Sequence, residues 1–227
     1  MKHTFFPGRF FWVLCLLFTA FPVLADALPS YQPNPKENQF DYWARDEKSM
    51  TRVRVAEQYH WNPGLECERR KDFPCAFGSW DFILRWVPNH TPALQKMVNL
   101  VTTSGRPALA LPYLEAATQF CPKCADVYVV YGIYLFNIKQ VDKSIEKYKI
   151  SIDIDPNLPT AYYNLGLAYL SQKRYKEANE VAQKAYDLGY PFPFLRDKLK
   201  QLGAWNQTSK STEKAEKAEK AEVSSDK

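Results

Sequence analysis

The 227-residue sequence has few glycines and almost no histidine. Eight glycines stand against 16 prolines, 14 tyrosines, 14 phenylalanines and 6 tryptophans. The patterns GxGxxG, GxxxxGK[ST], HExxH and GxSxG do not occur in it, which disfavours nucleotide-binding loops, zinc proteases and serine hydrolases of the usual kinds. The composition is that of a globular chain, but its motifs do not indicate an enzyme.

A strong excess of positive charge is also missing. The formal net charge is +5, and Lys2 and Arg9 contribute two of these charges before an apolar N-terminal run. Nucleic-acid-binding domains concentrate Lys and Arg on one face, and the small remaining excess does not indicate such a face. We therefore expect no nucleic-acid partner.

The first 25 residues have the pattern of an export signal. Lys2 and Arg9 precede an apolar run over residues 10–24, which Pro22 interrupts and Ala25 follows. This run is shorter than the roughly 20 apolar residues that a membrane span requires. We expect cleavage after Ala25, a periplasmic or secreted mature protein and no transmembrane span in that form; an uncleaved anchor is the alternative.

Four cysteines follow the expected cleavage point: Cys67, Cys75, Cys121 and Cys124. An even number in an exported protein indicates disulfides, and short loops favour pairing Cys67 with Cys75 and Cys121 with Cys124. Two alternatives stay open. One is a four-thiolate zinc site, although only the second pair has the usual ligand spacing. The other is thiol-redox chemistry at Cys121 and Cys124. In the leading interpretation the protein has no metal and no cofactor.

The most informative pattern is a period of 34 residues. Pro88, Pro122 and Pro156 are spaced by this interval, and so are Gly132 and Gly166. Self-similarity at such a period is typical of stacked helical hairpins. The sequence therefore predicts a repeat protein.

The clearest unit spans residues 159–192 and contains two amphipathic segments joined by a short polar turn. Residues 125–158 repeat this pattern, and residues 91–124 repeat it more loosely, with Val98 where the other two units have glycine. Small and bulky residues recur at helical spacing in the clearest unit: Tyr162, Leu165, Gly166 and Tyr169 in the first segment, and Ala178, Ala182 and Ala185 in the second.

At these residues the chain resembles the tetratricopeptide repeat family, whose pattern the stretch AYYNLGLAY at residues 161–169 closely follows. The resemblance implies an all-α, right-handed superhelical stack of three hairpins over residues 91–124, 125–158 and 159–192. Ala76, Trp80 and Ile83, which lead to Pro88, resemble one further second helix. Because Pro63 and Gly64 stand in its expected partner helix, residues 46–90 are predicted to form a helical cap and a half repeat, with a helix over residues 46–61.

The remaining segments are predicted to surround this stack. Residues 193–205 form a C-terminal capping helix with Phe194, Leu195, Leu199 and Leu202 on its apolar face, and Trp205 packs back. Residues 26–45 form an extended, proline-containing arm. Residues 206–227 form a disordered Lys/Glu/Ala-rich tail, since they have almost no apolar side chain to bury.

The resemblance also implies a groove along the first helices that binds a peptide or helix of a partner protein. Its positions here lack the Lys and Arg of a carboxylate-binding groove and suit apolar or aromatic side chains. Alternatively, its aromatic residues pack between hairpins, and Asn164 is a consensus residue. The predicted groove residues are Gln95, Asn99, Thr102, Val129, Ile133, Phe136, Asn137, Tyr163, Asn164, Leu167 and Leu170.

The sequence has no evident set of catalytic groups. His60 and His90 are the only histidines after the expected leader, and neither accompanies a recognisable nucleophile or carboxylate pair. His90 follows Pro88 and Asn89 at a hairpin junction, where a turn or capping role is expected. We predict a non-enzymatic scaffold in a periplasmic or cell-envelope assembly. The alternatives are the thiol or zinc protein and a glycan-binding accessory of polysaccharide export.

Overall fold

The computed structural model describes residues 31–206. The predictions for the export signal, for the first residues of the arm and for the tail beyond residue 206 lie outside the described residues. The described part contains nine α-helices and no strand, which confirms the predicted all-α class.

The helices follow one another as antiparallel hairpins. Their bounds are α1 Glu47–Arg69, α2 Phe73–Trp86, α3 Thr91–Thr103, α4 Leu111–Phe120, α5 Ala125–Asn137, α6 Val141–Ile154, α7 Pro159–Ser171, α8 Tyr175–Asp187 and α9 Phe194–Gln201. α1 pairs with α2, α5 with α6, and α7 with α8, while α3 packs against a short 3₁₀ helix, Pro107–Ala110, that leads into α4. The unit formed by α3 and α4 is the one that the sequence predicts to be looser, at residues 91–124.

The same turn closes the first helix of every hairpin. One residue in each turn has a positive φ, and the next N–H donates to a carbonyl at the end of the helix, as in a Schellman motif. The residues with positive φ are Lys71, Gly105, Lys139 and Lys173. The accepting carbonyls belong to Cys67, Val101, Leu135 and Tyr169, at 2.8 to 2.9 Å. Both sets are spaced by 34 residues, so four hairpins share one register.

The first hairpin is complete, which corrects the expectation of a cap and a half repeat. α1 does not end near Trp61 but continues through Pro63 to Arg69. Gly64, taken as a helix breaker, stands two periods before Gly132 and is buried against Trp80. An interior proline costs one backbone hydrogen bond. Packing against α2 offsets this cost, because tertiary contacts routinely override local propensity.

Glu68 connects the first hairpin to the rest of the stack. One carboxylate oxygen accepts a 3.0 Å hydrogen bond from Trp80 Nε1 in α2, and the other lies 2.9 Å from Lys96 Nζ in α3. Three helices therefore meet at one side chain. The first hairpin is held to the second by an ion pair as well as by apolar packing.

The C-terminal helix closes the stack through only half of its predicted apolar face. Leu195 and Leu199 are fully buried, and Leu195 fills the space above Gly166. Phe194 and Leu202 are instead 60% and 43% exposed. Phe194 points about 100° away from Leu195 around the helix, and Leu202 is the C-cap residue that follows the last helical residue. Trp205 packs back against Tyr186, with ring centroids 5.9 Å apart, as predicted.

The arm is bound to the stack from Tyr31 onward. Phe40 is buried, and its N–H donates to Trp86 O at 2.8 Å. Asn89, also buried, accepts a hydrogen bond from the Tyr42 N–H at 2.9 Å and donates to Asp41 Oδ1 at 2.7 Å. These bonds hold Tyr42 at the start of α3.

Candidate functional site

A cleft of about 490 Å³ lies where α3, α5 and α7 face the arm. These are the first helices of three successive hairpins. We call this site the arm cleft. Its lining consists of Tyr42, Trp43, Thr91, Pro92, Gln95, Asp126, Val129, Val130, Ile133, Thr160, Asn164 and Tyr190.

The arm cleft brings together part of the predicted groove. Gln95, Val129, Ile133 and Asn164 line it. Asn99 lines a separate cavity of about 500 Å³ beside the turn between α1 and α2. Five further predicted residues do not line the cleft. Phe136, Leu167 and Leu170 are half-buried against the core of α5 to α8. Thr102 donates to a carbonyl of its own helix, and Asn137 faces solvent.

Tyr163 does not offer its ring to the groove, which corrects its predicted role. Its side chain is only 8% exposed, and its ring stacks on Tyr190 at a centroid distance of 3.9 Å. Burial raises the pKa of Tyr190 to about 12. Tyr163 therefore supports Tyr190, which lines the cleft, and this is the packing role that the sequence leaves open for its aromatic residues.

The two amides of the cleft are partly engaged within their own helices. Asn164 Nδ2 donates to Thr160 O at 2.8 Å, and Gln95 Nε2 donates to Asn99 Oδ1 at 2.9 Å. An amide has two N–H groups and an acceptor oxygen, so one bond uses only part of this capacity. The amides are thereby fixed in orientation at the cleft wall.

The arm contributes two aromatic residues to the cleft that the repeat pattern does not predict, Tyr42 and Trp43. The rings of Tyr42 and Trp43 are 5.0 Å apart, and Trp43 is 45% exposed. No periodicity marks these residues, because they precede the first repeat. The repeat does mark Asp126 as a cleft residue. Pro92, Asp126 and Thr160 are spaced by 34 residues, and all three line the cleft.

His90 caps α3, as the sequence predicts, and it is fully buried. Its Nδ1 accepts a hydrogen bond from the Ala93 N–H at 3.1 Å, and its Nε2 lies 3.0 Å from Glu57 Oε1. Burial lowers the pKa of His90, and Glu57 opposes this shift only in part. His90 is thus a neutral structural group beneath Tyr42, whose ring centroid is 4.3 Å away.

The cysteines are joined to their nearest neighbours in the chain. One disulfide links Cys67 and Cys75 across the turn between α1 and α2, and the other links Cys121 and Cys124 between α4 and α5. Over residues 31–206, no three or more His, Cys, Asp and Glu side chains cluster as metal ligands would. No helix in this range is long and apolar enough to cross a membrane.

Two family models match the C-terminal half of the stack. One, described as "TPR repeat", matches residues 135–173, and the other, described as "Tetratricopeptide repeat", matches residues 159–189. Neither describes a catalytic family. Comparison with curated proteins gave no match.

Solved structures of repeat proteins are similar in fold. The pilF protein of Pseudomonas aeruginosa is 19% identical with a TM-score of 0.52, covering 70% of this chain and 81% of that one. A MamA protein is 21% identical, with 74% and 94% covered and a TM-score of 0.49. YrrB, titled a TPR protein with an unusual peptide-binding site, is 19% identical, with 68% and 83% covered and a TM-score of 0.48.

The matches and the common hairpin register define the class of this molecule. The described residues form a superhelical stack of helical hairpins with the fold of tetratricopeptide repeat proteins, and residues 135–189 match models of that repeat. This confirms the predicted fold.

Proposed function

We propose that this protein is a non-enzymatic scaffold that holds a segment of a partner protein in the arm cleft, within a periplasmic or cell-envelope assembly. One observation carries the proposal: three successive repeat helices and the arm converge on a single open cleft. Its apolar floor of Val129, Val130 and Ile133 suits the side chains of an extended or helical segment.

Neither histidine of residues 31–206 is placed to act on a molecule held in the cleft. His90 is occupied by the Ala93 N–H and by Glu57, and His60 stacks on Phe82 at 3.7 Å. A general base must reach the proton that it removes. Neither imidazole lines the cleft, so neither can serve a substrate held there.

Photo-crosslinking tests the cleft as the partner site. Trp43 is replaced by a benzoylphenylalanine in the full chain, and the matched control carries the same group at Tyr59, which is 64% exposed and not part of the cleft lining. We expect one envelope protein of the source organism to be linked through position 43 and not through position 59. The same adducts from both positions, or none from position 43, would contradict the proposal.

The envelope location rests on the export pattern of residues 1–25 and on the two disulfides, which persist in oxidising compartments. A reporter fusion tests this location: residues 1–30 are joined to an alkaline phosphatase that lacks its own signal and is active only after export. We expect activity in a Gram-negative host and a processed product that begins at Asp26. Replacing Leu16 and Leu17 by Asp should abolish both; an inactive parent fusion would refute the location.

Glycan binding is the second candidate, and the exposed indole of Trp43 at the rim of the cleft is the observation that favours it. Sugars stack on such rings. Tryptophan fluorescence is titrated with envelope glycans, using wild type and Trp43→Ala. A saturable change that disappears in the variant would support glycan binding, whereas a flat titration leaves the protein partner as the proposal.

A further inference from the structure

Asp126 carries the only formal charge in the lining of the arm cleft. It stands in the first turn of α5 and is half-buried. Over residues 31–206, no Lys or Arg lies within ion-pair distance of its carboxylate. The cleft therefore presents one carboxylate without a counterion beside an apolar floor.

The position at a helix start does not account for this arrangement. A carboxylate in the first turn is favoured by the helix dipole, and Asp142 stands in the same turn of α6. Asp142, however, remains exposed and accepts a hydrogen bond from Gln172 Nε2 at 2.6 Å. Asp126 has lost part of its hydration, and among residues 31–206 it has no such donor.

A second carboxylate makes the surroundings of Asp126 more negative. Burial and the nearby Asp155, from the turn between α6 and α7, both raise the pKa of Asp126. Asp155 itself accepts from the Asn157 N–H. Arg45 of the arm and Arg54 of α1 line a different pocket, together with Glu57. A cation entering the arm cleft would thus meet an attractive field from two carboxylates.

We propose that the partner segment carries a Lys or Arg beside an apolar or aromatic side chain, and that this cation pairs with Asp126. The inference rests on the proposed function of the arm cleft. The apolar side chain lies against Val130 and Ile133, within reach of Trp43, while the cation makes a charge-assisted hydrogen bond to the carboxylate. Such a pair selects the partner and sets its register more than it adds affinity.

Peptide selection tests the inference without a known partner. Random phage-displayed peptides are selected on the chain from Asp26 to Lys227, on Asp126→Asn and on the matched control Asp142→Asn, which also loses one first-turn carboxylate. On wild type and on Asp142→Asn we expect peptides that combine an aromatic residue with Lys or Arg. On Asp126→Asn the aromatic residue should persist, and the frequency of Lys and Arg should fall to that of the library.

Affinity measurements complete the test. The selected peptide and its analogue with Gln in place of the cation are titrated by fluorescence anisotropy. For wild type and Asp142→Asn we expect the cation to lower Kd about tenfold, which corresponds to about 1.4 kcal/mol. For Asp126→Asn the two peptides should bind alike.

Failure of this inference is distinct from failure of the proposed function. If wild type selects aromatic peptides without an excess of Lys or Arg, or if Asp126→Asn keeps that excess, the inference is wrong and the cleft still binds peptides. If no peptide is selected, or if Ile133→Glu leaves binding unchanged, the arm cleft is not a peptide site and both proposals fail.

Discussion

Gly64 in α1 lies directly against the indole ring of Trp80 in α2. A Cβ atom at position 64 would be 2.7 Å from Trp80 Cη2, closer than packed carbon atoms approach. Two repeats later the ring of Tyr148 stands over Gly132 in the same way. The first hairpin therefore uses the packing of the repeat at residues 125–158, in which a glycine makes room for a large residue of the second helix.

This packing predicts opposite sensitivity at two helical glycines. Gly64→Val should lower the free energy of unfolding by about 2 kcal/mol, because overpacking a rigid buried contact costs roughly 1 to 3 kcal/mol. Gly78→Val, on the exposed side of α2 with no atom within 4 Å of a Cβ, should change it by less than about 0.5 kcal/mol. Urea denaturation compares the two; equal losses would show that Gly64 is not a close-packing position.

The hydrogen bonds of Asn89 should determine how firmly the arm is held. Asn89→Ala removes the acceptor for the Tyr42 N–H and the donor to Asp41, which should cost about 1 to 3 kcal/mol. The amide of Tyr42 should exchange faster in hydrogen-exchange mass spectrometry, and chymotrypsin should cleave near Trp43. Asn62→Ala, on the exposed side of α1, is the control and should change neither; unchanged exchange in Asn89→Ala would contradict the assignment.

His90 predicts a loss of stability in mild acid. Because burial lowers the pKa of His90 in the folded protein, the unfolded chain takes up the proton more readily as the pH falls through the ordinary histidine pKa of about 6.5. The free energy of unfolding should fall by up to about 1.4 kcal/mol per pH unit for this group, until the pH reaches the folded pKa. Protonation at Nδ1 would also remove the acceptor for the Ala93 N–H.

Thermal unfolding between about pH 7.5 and pH 5.5 measures this dependence. His90→Asn keeps a capping acceptor but cannot titrate, so its slope should be smaller. A residual slope is expected from His60, whose pKa burial also lowers. A slope equal to that of wild type would exclude His90 as the titrating group.

The disulfides predict the outcome of thiol and metal analysis. The chain from Asp26, unfolded without reductant, should show no free thiol and no bound zinc. Replacing either cysteine pair by serine should cost about 2 to 3 kcal/mol, with the larger loss for Cys67 and Cys75, because they close the longer loop. Four free thiols with zinc would favour the metal site, and two reactive thiols at Cys121 and Cys124 would favour redox chemistry.

The arm cleft was only partly predictable. Gln95, Val129, Ile133 and Asn164 follow from the repeat, since equivalent positions of successive first helices face the same side. Tyr163 follows the same rule but turns into the stack, because Tyr190 from the loop before α9 covers it. That contact depends on the unique end of the stack, which a repeat pattern does not describe.

The 34-residue period by itself determined the helices, their pairing and the fold class, because each hairpin depends on contacts close in sequence. The period also includes the first hairpin, since Gly64 stands two periods before Gly132. Pro63 nevertheless led to the prediction of a half repeat there. Only the tertiary structure decided where the arm lies and which side chains close the cleft. The bonds from Asn89 to Asp41 and Tyr42 join residues almost 50 positions apart, and no local propensity or period encodes contacts of that range.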